Sequence, residues 1–434
     1  MHPEPAARPT PEQIAWHDME LELFVHFGPR TWRHDIEKLG PVPADRLDPD
    51  QLDVLQWIDV AKSLGAGQIV LVAKHVDGYC WWQTSTSDYG VRQSPWRHGS
   101  GDLVADLAAQ SRNAGLKLGI YLSPADQHLG AAVSGRCATA QAQTKYSEVY
   151  REQLRELLVN YGEISEVWFD GSNVIQVGDI LAAHAPHAMV FQGPHATIRW
   201  PGNEDGFAPY PAWNSVQRHH AATGIATAAH GDPDGDVWMP LEMDTTLRKH
   251  YWFHQPDTEH SIKSLDYLME TYYRSVGHGS VLLLNSNPDT SGLIPDPDAR
   301  ATAAFGTEVR RRFGAPVADA IRPRASDGHT YEMLIEPGRM IDHLVSTEEI
   351  AHGERVRSYR LEGYASGRWS ELATGSAIGH KKIDFFPRQP LERVRLTVLD
   401  SGGQPYLKRL SAYDVGETPS FDRNDVRVHD PLIT

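Results

Sequence analysis

Asp170 is the residue of this sequence around which a reactive site can most readily be built. It follows the apolar segment 167–169 and precedes Gly171. A carboxylate just after a buried strand lies at the edge where α/β barrels hold their reacting groups. Asp-Gly is also a common turn sequence, so Asp170 by itself could equally start a turn. Polar residues at the ends of other strands would favour a catalytic role.

The same pattern recurs along the chain, because other apolar segments carry polar residues where they end. These residues are His26, Lys74 with His75, Tyr121, and Glu242 with Asp244. The ends of parallel strands share one mouth of a barrel, so we expect these side chains to line a common pocket. The irregular segment 199–217 adds four polar or aromatic residues to the set, Arg199, Trp200, Asn203 and Glu204. Its aromatic residues indicate a wall of that pocket.

Carboxyl groups, histidines and tryptophans around a barrel mouth fit the cleavage of glycosidic bonds. One carboxyl protonates the leaving oxygen, and a carboxylate acts at the anomeric carbon. Tryptophan rings stack on the apolar face of a sugar, while His, Tyr and Asn bind its hydroxyl groups. Many other barrels would supply similar residues, so these residue types alone predict a hydrolase without naming its substrate.

The sequence predicts no metal site and no cofactor. An EF-hand interpretation of residues 232–236 fails, because Val237 and Met243 stand where the calcium loop needs Gly and Glu. The histidine pair 219–220 and His260 have no partner at the spacing of metal ligands. A metal-dependent hydrolase is therefore not expected.

The elements that must position these residues alternate between strands and helices. Apolar strands are predicted at 23–28, 68–75, 117–123, 166–169, 188–193, 236–244 and 280–285, with amphipathic helices between them. This pattern predicts an α/β fold, a (β/α)8-like TIM barrel catalytic domain over residues 1–314. An open doubly wound sheet is the alternative, but no GxGxxG or GxxxxGK[ST] motif follows any of these strands. Short alternating segments over residues 315–434 predict a C-terminal all-β sandwich domain.

Composition excludes several classes of partner. The formal net charge of −16 argues against nucleic acid and against an anionic membrane surface. The two cysteines form no CxxC pair, and no apolar run is long enough to span a bilayer. Residues 1–17 lack the apolar core of a signal peptide, so a cytoplasmic location is expected, or a secreted one if a leader was removed. The oligomeric state does not follow from the sequence.

The order of several motifs resembles the α-L-fucosidases of glycoside hydrolase family 29, in particular the branch that cleaves α-1,3 and α-1,4 linked fucose. The motifs are HFGPRTW, AKHVDGYCWWQTSTSDYGV, GLKLGIYLSP, EVWFDG, IRWPGNEDG, PLEMD and SVGHGSVLLLNSNPDTSGLI, and they extend from about Trp16 to Phe313. The resemblance implies a retaining exo-enzyme that needs no metal and acts on fucosylated oligosaccharides or glycoconjugates. The C-terminal segment similarly resembles a carbohydrate-binding-type β-sandwich.

The resemblance also implies roles for individual residues. Asp170 corresponds to the nucleophile of the family and Glu204 to the general acid/base of the α-1,3/1,4 branch. His26 and His75 are implied to bind fucose, Trp168 to form a wall of the pocket, and Tyr121 to contact a hydroxyl group. Further substrate-binding candidates are Trp82, Asn203, Trp252 and Glu242, the last being also the alternative acid/base.

Val76 departs from the family pattern, which has His-His where this chain has His75-Val76. The loss of a donor could change the sugar that is accepted, so an α-L-galactosidase or another α-L-glycosidase is the first alternative. The segment 248–254 also differs from the usual form, which affects recognition of the leaving group. The second alternative is a non-catalytic fucose-binding protein, against which the presence of both carboxyl groups counts.

Overall fold

The computed structural model describes residues 6–33, 42–221 and 229–421 of the chain. The last part of the predicted C-terminal domain, 422–434, therefore lies outside the described residues, as do residues 1–5. Within the described ranges, no helix combines the length and the apolar character needed to cross a bilayer.

The N-terminal part of the chain alternates strands and helices as the sequence predicts. Its strands are β1 (Leu21–Val25), β2 (Gln68–Lys74), β3 (Lys117–Leu122), β4 (Glu166–Trp168), β5 (Met189–Phe191), β6 (Ser215–Val216), β7 (Val237–Trp238), β8 (Glu242–Thr246) and β9 (Val281–Asn285). Its helices are α1 (Pro11–His17), α2 (Val54–Leu64), α3 (Leu103–Ala114), α4 (Ala140–Asn160), α5 (Gly178–His184), α6 (Arg218–Ala221), α7 (Leu265–Arg274) and α8 (Asp296–Phe313).

Seven of these strands form one parallel sheet in the order β5-β4-β3-β2-β1-β9-β8. The residues between β5 and β8 link the two outer strands, because Ile198 bridges Phe191 and Arg199 bridges Leu241 in parallel pairing. The (β/α)8 prediction requires eight strands. The described residues contain seven regular parallel strands, and between the outer two they show isolated bridges, which include an antiparallel one from Asp205 to Thr245 of β8, in place of an eighth regular strand.

The helices are delimited by the signals that the sequence carries. Asp53 caps the first turn of α2 by accepting a hydrogen bond from the amide of Leu55, and Asp102 caps α3 in the same way. Gly65 and Gly115 end these helices in the left-handed conformation, which glycine adopts without steric cost. Strand β2 is buried along its whole length, as expected for a parallel strand covered on both faces.

The predicted strand 236–244 is divided into two strands. Val237–Trp238 pairs antiparallel with β6, and β8 begins only at Glu242. Pro240 lies between them and cannot donate to a strand ladder, which separates the two pairings. Glu242 consequently stands at the start of its strand rather than at the end, opposite to the position that the sequence prediction assumed.

The C-terminal part contains two four-stranded antiparallel sheets. Their strands are β10 (Ala318–Ile321), β11 (Thr330–Leu334), β12 (Met340–Glu348), β13 (Val356–Ala365), β14 (Arg368–Gly375), β15 (Lys382–Pro390), β16 (Arg393–Ser401) and β17 (Leu407–Tyr413). The sheet orders are β10-β17-β12-β15 and β11-β16-β13-β14. Both sheets contribute residues to one hydrophobic cluster, including Leu344 and Leu410 from the first and Tyr359 and Leu396 from the second.

Connections between strands of the C-terminal part also hold the segment that carries Glu204. Glu354, which is buried, accepts hydrogen bonds from the backbone amide of Asn214 at 2.7 Å and from its side-chain amide at 2.6 Å. The hydroxyl of Tyr210 donates to the carbonyl of Ala377 at 3.1 Å. The irregular segment 199–217 is therefore fixed from both ends, by the parallel sheet and by the antiparallel sheets.

Candidate active site

Asp170 lies two residues beyond the end of β4, where its carboxylate is accessible to solvent and anchored by Tyr121. The Tyr121 hydroxyl donates to Oδ2 of Asp170 at 2.9 Å. Gly171 follows with a positive φ of 72°, and its amide donates to Oε1 of Gln192 at 2.8 Å. Desolvation by the surrounding protein raises the pKa of Asp170, while the Tyr121 hydrogen bond acts in the opposite direction. The result is an accessible carboxylate in a fixed orientation.

His26 is held at the same mouth by two asparagines, Asn285 at the end of β9 and Asn287 just beyond it. Its Nδ1 lies 2.9 Å from Oδ1 of Asn285, and its amide donates to Oδ1 of Asn287 at 2.9 Å. The same two asparagines donate to the carbonyl of Trp252, at 3.2 and 2.7 Å. Burial lowers the pKa of His26 to about 3, so its imidazole is neutral at ordinary pH. These asparagines escaped the sequence prediction, although both stand at a strand end.

His75 packs against Tyr121 with nearly parallel rings, 5.5 Å apart between centroids and inclined by 10°. Its ring also meets that of His26 at 5.8 Å. Nδ1 of His75 is buried and has no hydrogen-bond partner among the described residues. Burial lowers its pKa well below the ordinary value, which leaves a neutral ring.

An aromatic cluster forms the floor of this mouth. Trp168 stacks on Phe191 with centroids 3.5 Å apart and lies 4.9 Å from Phe24. Its indole N–H donates to Oε1 of Glu166 at 2.7 Å, away from Asp170 along the strand. Tyr121 stacks against the other side at 6.1 Å. Such a surface suits the C–H face of a sugar ring.

Glu204 stands on the irregular segment and is paired with Trp252. The Trp252 indole N–H donates to Oε2 of Glu204 at 2.8 Å. Burial raises the pKa of Glu204, the Trp252 hydrogen bond lowers it, and the negative charge of Asp170 raises it again. The ring of Trp252 in turn lies 5.1 Å from that of His26. The structure thus brings Glu204 and Trp252 together with His26.

A third carboxyl group, Asp244, belongs to the same region although it was not among the predicted substrate-binding residues. It is buried, and its Oδ1 accepts a hydrogen bond from the indole N–H of Trp200 at 2.7 Å. Burial and the charge of Glu204 raise its pKa well above the ordinary value. The sequence signal was available, since Asp244 belongs to a predicted strand end.

Arg30 is a further residue that the sequence prediction missed. Its guanidinium lies 5.9 Å from the ring centroid of Phe253, which itself contacts His26 and His75 at 5.3 and 5.0 Å. The positive charge of Arg30 contributes to lowering the pKa of both histidines and of Asp170. Arg30 is the residue immediately after the HFGP motif. Its position in the sequence did not distinguish it from an arginine on the surface.

Asn203 fixes the turn that carries Glu204. Its side-chain amide donates to the carbonyl of Phe207 at 3.1 Å, and its Oδ1 accepts from the amide of Asp205 at 3.2 Å. These contacts give Asn203 a structural role next to Glu204.

Two predicted substrate-binding residues are not brought to this mouth. Trp82 is fully buried, and its indole N–H donates to Glu156 of helix α4 at 2.8 Å, so it packs between sheet and helix. Glu242 is also fully buried, and because it begins β8 it lies beside Glu22 and Glu166 at the other ends of the strands. The predicted roles of Trp82 in stacking and of Glu242 as acid/base were therefore wrong.

The arrangement provides two carboxyl groups with raised pKa values, neutral imidazoles and an aromatic floor at one mouth. Asp170 has the accessibility and the fixed orientation that attack on an electrophilic carbon requires. The pKa of Glu204 is shifted upward by burial, which is the direction that favours a proton donor. These are the groups with which double-displacement hydrolysis of a glycoside works.

Comparison with known proteins identifies the family. A family model described as Alpha-L-fucosidase matches residues 16–310. Alpha-L-fucosidase 1 of Arabidopsis thaliana is 30% identical over 93% of this chain and 87% of its own length. A crystal structure from Bacteroides thetaiotaomicron, described as an alpha-L-fucosidase, is 30% identical, with a TM-score of 0.87 over 94% of this chain and 99% of that one.

A second solved structure, of a glycoside hydrolase 29 family member from an unknown rumen bacterium, is 30% identical with a TM-score of 0.85, covering 95% of this chain and 78% of that one. A Ruminococcus gnavus fucosidase solved in complex with fucose shares the fold, with 24% identity, a TM-score of 0.81 and coverage of 95% and 96%. The resemblance inferred from the motifs is thus confirmed at the level of the family. The chain belongs to the alpha-L-fucosidase family, glycoside hydrolase family 29.

Proposed function

We propose that the protein is a retaining exo-α-L-fucosidase in which Asp170 is the nucleophile and Glu204 the general acid/base. The observation that carries the proposal is the accessible carboxylate of Asp170, two residues beyond β4 and held by the Tyr121 hydroxyl at 2.9 Å. The segment carrying Glu204 lies close enough for the charge of Asp170 to raise the pKa of Glu204. The family supplies the substrate, a terminal α-L-fucoside.

The proposed reaction has two displacement steps. Asp170 attacks the anomeric carbon and forms an ester, while Glu204 gives its proton to the departing glycosidic oxygen. Water then attacks the same carbon, Glu204 takes a proton from that water, and Asp170 leaves as a carboxylate. Each residue returns to its starting protonation state. Because two inversions occur at one carbon, the first-formed sugar keeps the α configuration.

The neutral histidines and the aromatic floor account for sugar binding in this proposal. His26 and His75 accept or donate hydrogen bonds to hydroxyl groups, Trp168 supports the ring face, and Trp252 both borders the pocket and orients Glu204. Fucosylated oligosaccharides or glycoconjugates are the proposed substrates. The α-1,3/1,4 linkage rests on the position of Glu204 within the motif at 198–206.

The fold proposal that accompanies this function is a closed (β/α)8 barrel followed by a β-sandwich. The bridges at Ile198 and Arg199 support closure, because they link the two outer strands of the seven-stranded sheet. The shared hydrophobic cluster of the two C-terminal sheets supports a sandwich. Residues 1–314 would form the catalytic domain and 315–434 a carbohydrate-binding-module-like domain.

The test of the catalytic assignment uses an aryl α-L-fucoside and two variants. Asp170→Gly should lower kcat/KM by at least about 10³-fold, and azide should restore turnover by taking the vacated place of the carboxylate. Glu204→Ala should spare the first step for a good leaving group but slow release of the sugar, which a burst of aryl alcohol reports. Near-wild-type turnover by both variants would refute the assignment.

An α-L-galactosidase is the second candidate, and Val76 is the observation that favours it. The carbonyl of Val76 accepts a hydrogen bond from the amide of Gln127 at 2.8 Å, which fixes the main chain beside His75. Its apolar side chain offers no donor to a sugar hydroxyl. Rates on aryl α-L-fucoside and α-L-galactoside, measured for wild type and for Val76→His, distinguish the two sugars. Fucose binding without turnover of either glycoside would instead indicate a sugar-binding protein.

A further inference from the structure

Three glutamates meet inside the parallel sheet, at the end opposite to Asp170. Glu22, Glu166 and Glu242 are the first or second residues of β1, β4 and β8. Each offers one carboxylate oxygen, and these three oxygens all lie within 4.8 Å of one another. All three side chains are fully buried, at 0% exposure. Glu166 precedes Asp170 by four residues, which separates the two sites by roughly 13 Å along the chain.

The three carboxyl groups differ in their hydrogen bonds. Glu166 accepts three: from the indole N–H of Trp16 at 2.9 Å, from the Gln68 amide at 2.8 Å, and from the indole of Trp168 at 2.7 Å. In contrast, no N–H or O–H group among the described residues donates a well-aligned hydrogen bond to either oxygen of Glu22 or of Glu242. Trp16 and Gln68, which donate to Glu166, lie near enough to Glu22 to lower its pKa, and the carboxyl of Glu242 faces that of Glu166. Two fully buried carboxyl groups thus lie beside a third without a donor of their own.

Such an arrangement needs positive charge, whether as protons or as a cation. Burial raises the pKa of Glu22 and Glu242 well above the ordinary value, and the charge of Glu166 adds to both effects. Within the described ranges, none of the three glutamates forms an ion pair with Lys, Arg or His. Three bare carboxylates in an apolar interior would cost far more than folding can offset.

We propose that Glu22, Glu166 and Glu242 bind one small hard divalent cation, Mg²⁺ or Mn²⁺, at a site separate from the catalytic pocket. The three oxygens lie within 4.8 Å of one another, near enough together for one small cation to bridge the three carboxyl groups. The donors are all carboxylate oxygens, without His or Cys, which favours hard cations over zinc or copper.

The hydrogen bonds to Glu166 suit the same role. The three N–H donors of Trp16, Gln68 and Trp168 orient one ligand in advance, as outer residues do around bound metals. The ion would tie β1, β4 and β8 together, three strands that are not neighbours in the sheet. Because Trp168 donates to Glu166 and stacks beside Tyr121, the site also supports the floor of the catalytic mouth.

The experiment uses the full chain after dialysis against EDTA. Elemental analysis before dialysis should find about one Mg or Mn per chain. Thermal unfolding of the dialysed protein should then show a saturable rise in Tm with MgCl₂ or MnCl₂ that KCl at equal ionic strength does not produce. Mn²⁺ bound to the protein should also give a broadened electron paramagnetic resonance signal.

The variants Glu22→Gln and Glu242→Gln keep the side-chain shape and remove one ligand charge each. Both should lose the Mg²⁺- or Mn²⁺-dependent rise in Tm, while Glu163→Gln, an exposed residue, should retain it. If either variant fails to fold, the metal content and Tm titration of the wild type decide.

The proposal is overturned if the wild type contains no stoichiometric metal and its Tm does not respond to MgCl₂ or MnCl₂. Variants as stable as the wild type would then indicate that the glutamates hold protons instead. It is also overturned if both variants keep the full metal response, which would place the ion elsewhere. Because the readouts are metal content and Tm, neither outcome depends on the proposed fucosidase activity.

Discussion

The indole nitrogen of Trp252 donates a hydrogen bond to Oε2 of Glu204, 2.8 Å away. Trp252 belongs to the segment 248–254, whereas Glu204 belongs to the segment 199–217, so this contact joins two irregular segments at the mouth. The carbonyl of Trp252 is itself held by Asn285 and Asn287. The orientation of the proposed acid/base therefore depends on a tryptophan whose backbone is held at the C-terminal end of β9.

Replacing this tryptophan should move the pH dependence of the reaction. Burial raises the pKa of Glu204 and the Trp252 hydrogen bond lowers it, so Trp252→Phe should raise it further. Glu204 must be protonated to act as acid, so the alkaline limb of the kcat/KM profile should shift to higher pH. Loss of the hydrogen bond should also lower kcat/KM about tenfold. Trp369→Phe, in the C-terminal sheets, is the matched control and should leave the profile unchanged.

Removing the hydroxyl of Tyr121 should affect the opposite limb. Burial raises the pKa of Asp170, and the hydrogen bond from Tyr121 opposes this effect, so Tyr121→Phe should raise the pKa of Asp170 further. A nucleophile must be ionised, hence the acidic limb of kcat/KM should move to higher pH, with a loss of about tenfold at its optimum.

Tyr150→Phe is the control for that change, because the Tyr150 hydroxyl donates to the carbonyl of Leu122 at 2.9 Å away from the pocket. It should lower stability without moving either limb. Equal shifts in both variants would show that Tyr121 acts through the fold rather than through Asp170.

His26 should remain neutral throughout the working pH range. Burial lowers its pKa to about 3 in the folded protein, against about 6.5 in an unfolded chain. Between these two pH values His26 is protonated in the unfolded chain but not in the folded protein. Protonation therefore favours the unfolded state, and His26 lowers the free energy of unfolding as pH falls from about 6.5 towards 3. NMR of labelled histidine should show no titration of His26 between pH 5 and 8, and a midpoint near 6.5 would contradict the proposal.

The two tryptophans predicted as sugar contacts should behave differently. Trp82 packs under helix α4 and donates to Glu156, so Trp82→Phe should lower the free energy of unfolding by about 1–3 kcal/mol and leave KM unchanged. Trp168 forms the floor of the mouth, so Trp168→Phe should raise KM several-fold. An increase in KM for Trp82→Phe at temperatures where it is folded would argue against the present position of Trp82.

Asp298→Asn should loosen the segment that presents Trp252. Arg248 and Asp298 form a buried pair with contacts of 2.9 and 2.6 Å, and Arg248 begins that segment. Leaving the guanidinium buried without its full partner should cost about 3 kcal/mol of unfolding free energy, with a lower kcat. Chemical denaturation measures the first and initial rates the second. Asp296→Asn, at the exposed start of α8, is the control and should change neither.

The strand-end argument succeeded where a residue lies within two positions of the end of a regular buried strand. It predicts that His26, His75, Tyr121 and Asp170 share one mouth, and their mutual contacts place them there. The reason is physical: parallel strands of similar length end on the same side of a sheet, so polar residues at their ends converge.

The same argument failed where the strand boundary was misplaced. Glu242 was assigned to a strand end because 236–244 was read as one strand, whereas Pro240 separates two pairings and reverses its position. Trp82 could not be distinguished from Trp81, because adjacent tryptophans on an irregular segment carry no periodic signal. Pairs such as Trp200 with Asp244 join residues 44 positions apart, and no local pattern encodes such a distance.

The side chain of Arg199 holds the segment that carries Glu204 through hydrogen bonds to backbone carbonyls. Its guanidinium is buried and donates to the carbonyls of Met239, Trp213 and Ala229, at 3.1, 2.5 and 3.1 Å. One side chain therefore satisfies three backbone carbonyls that are not paired in a strand ladder. All three carbonyls belong to residues beyond Glu204, so loss of the Arg199 guanidinium would release the whole stretch between Glu204 and β8 from the sheet rather than one contact.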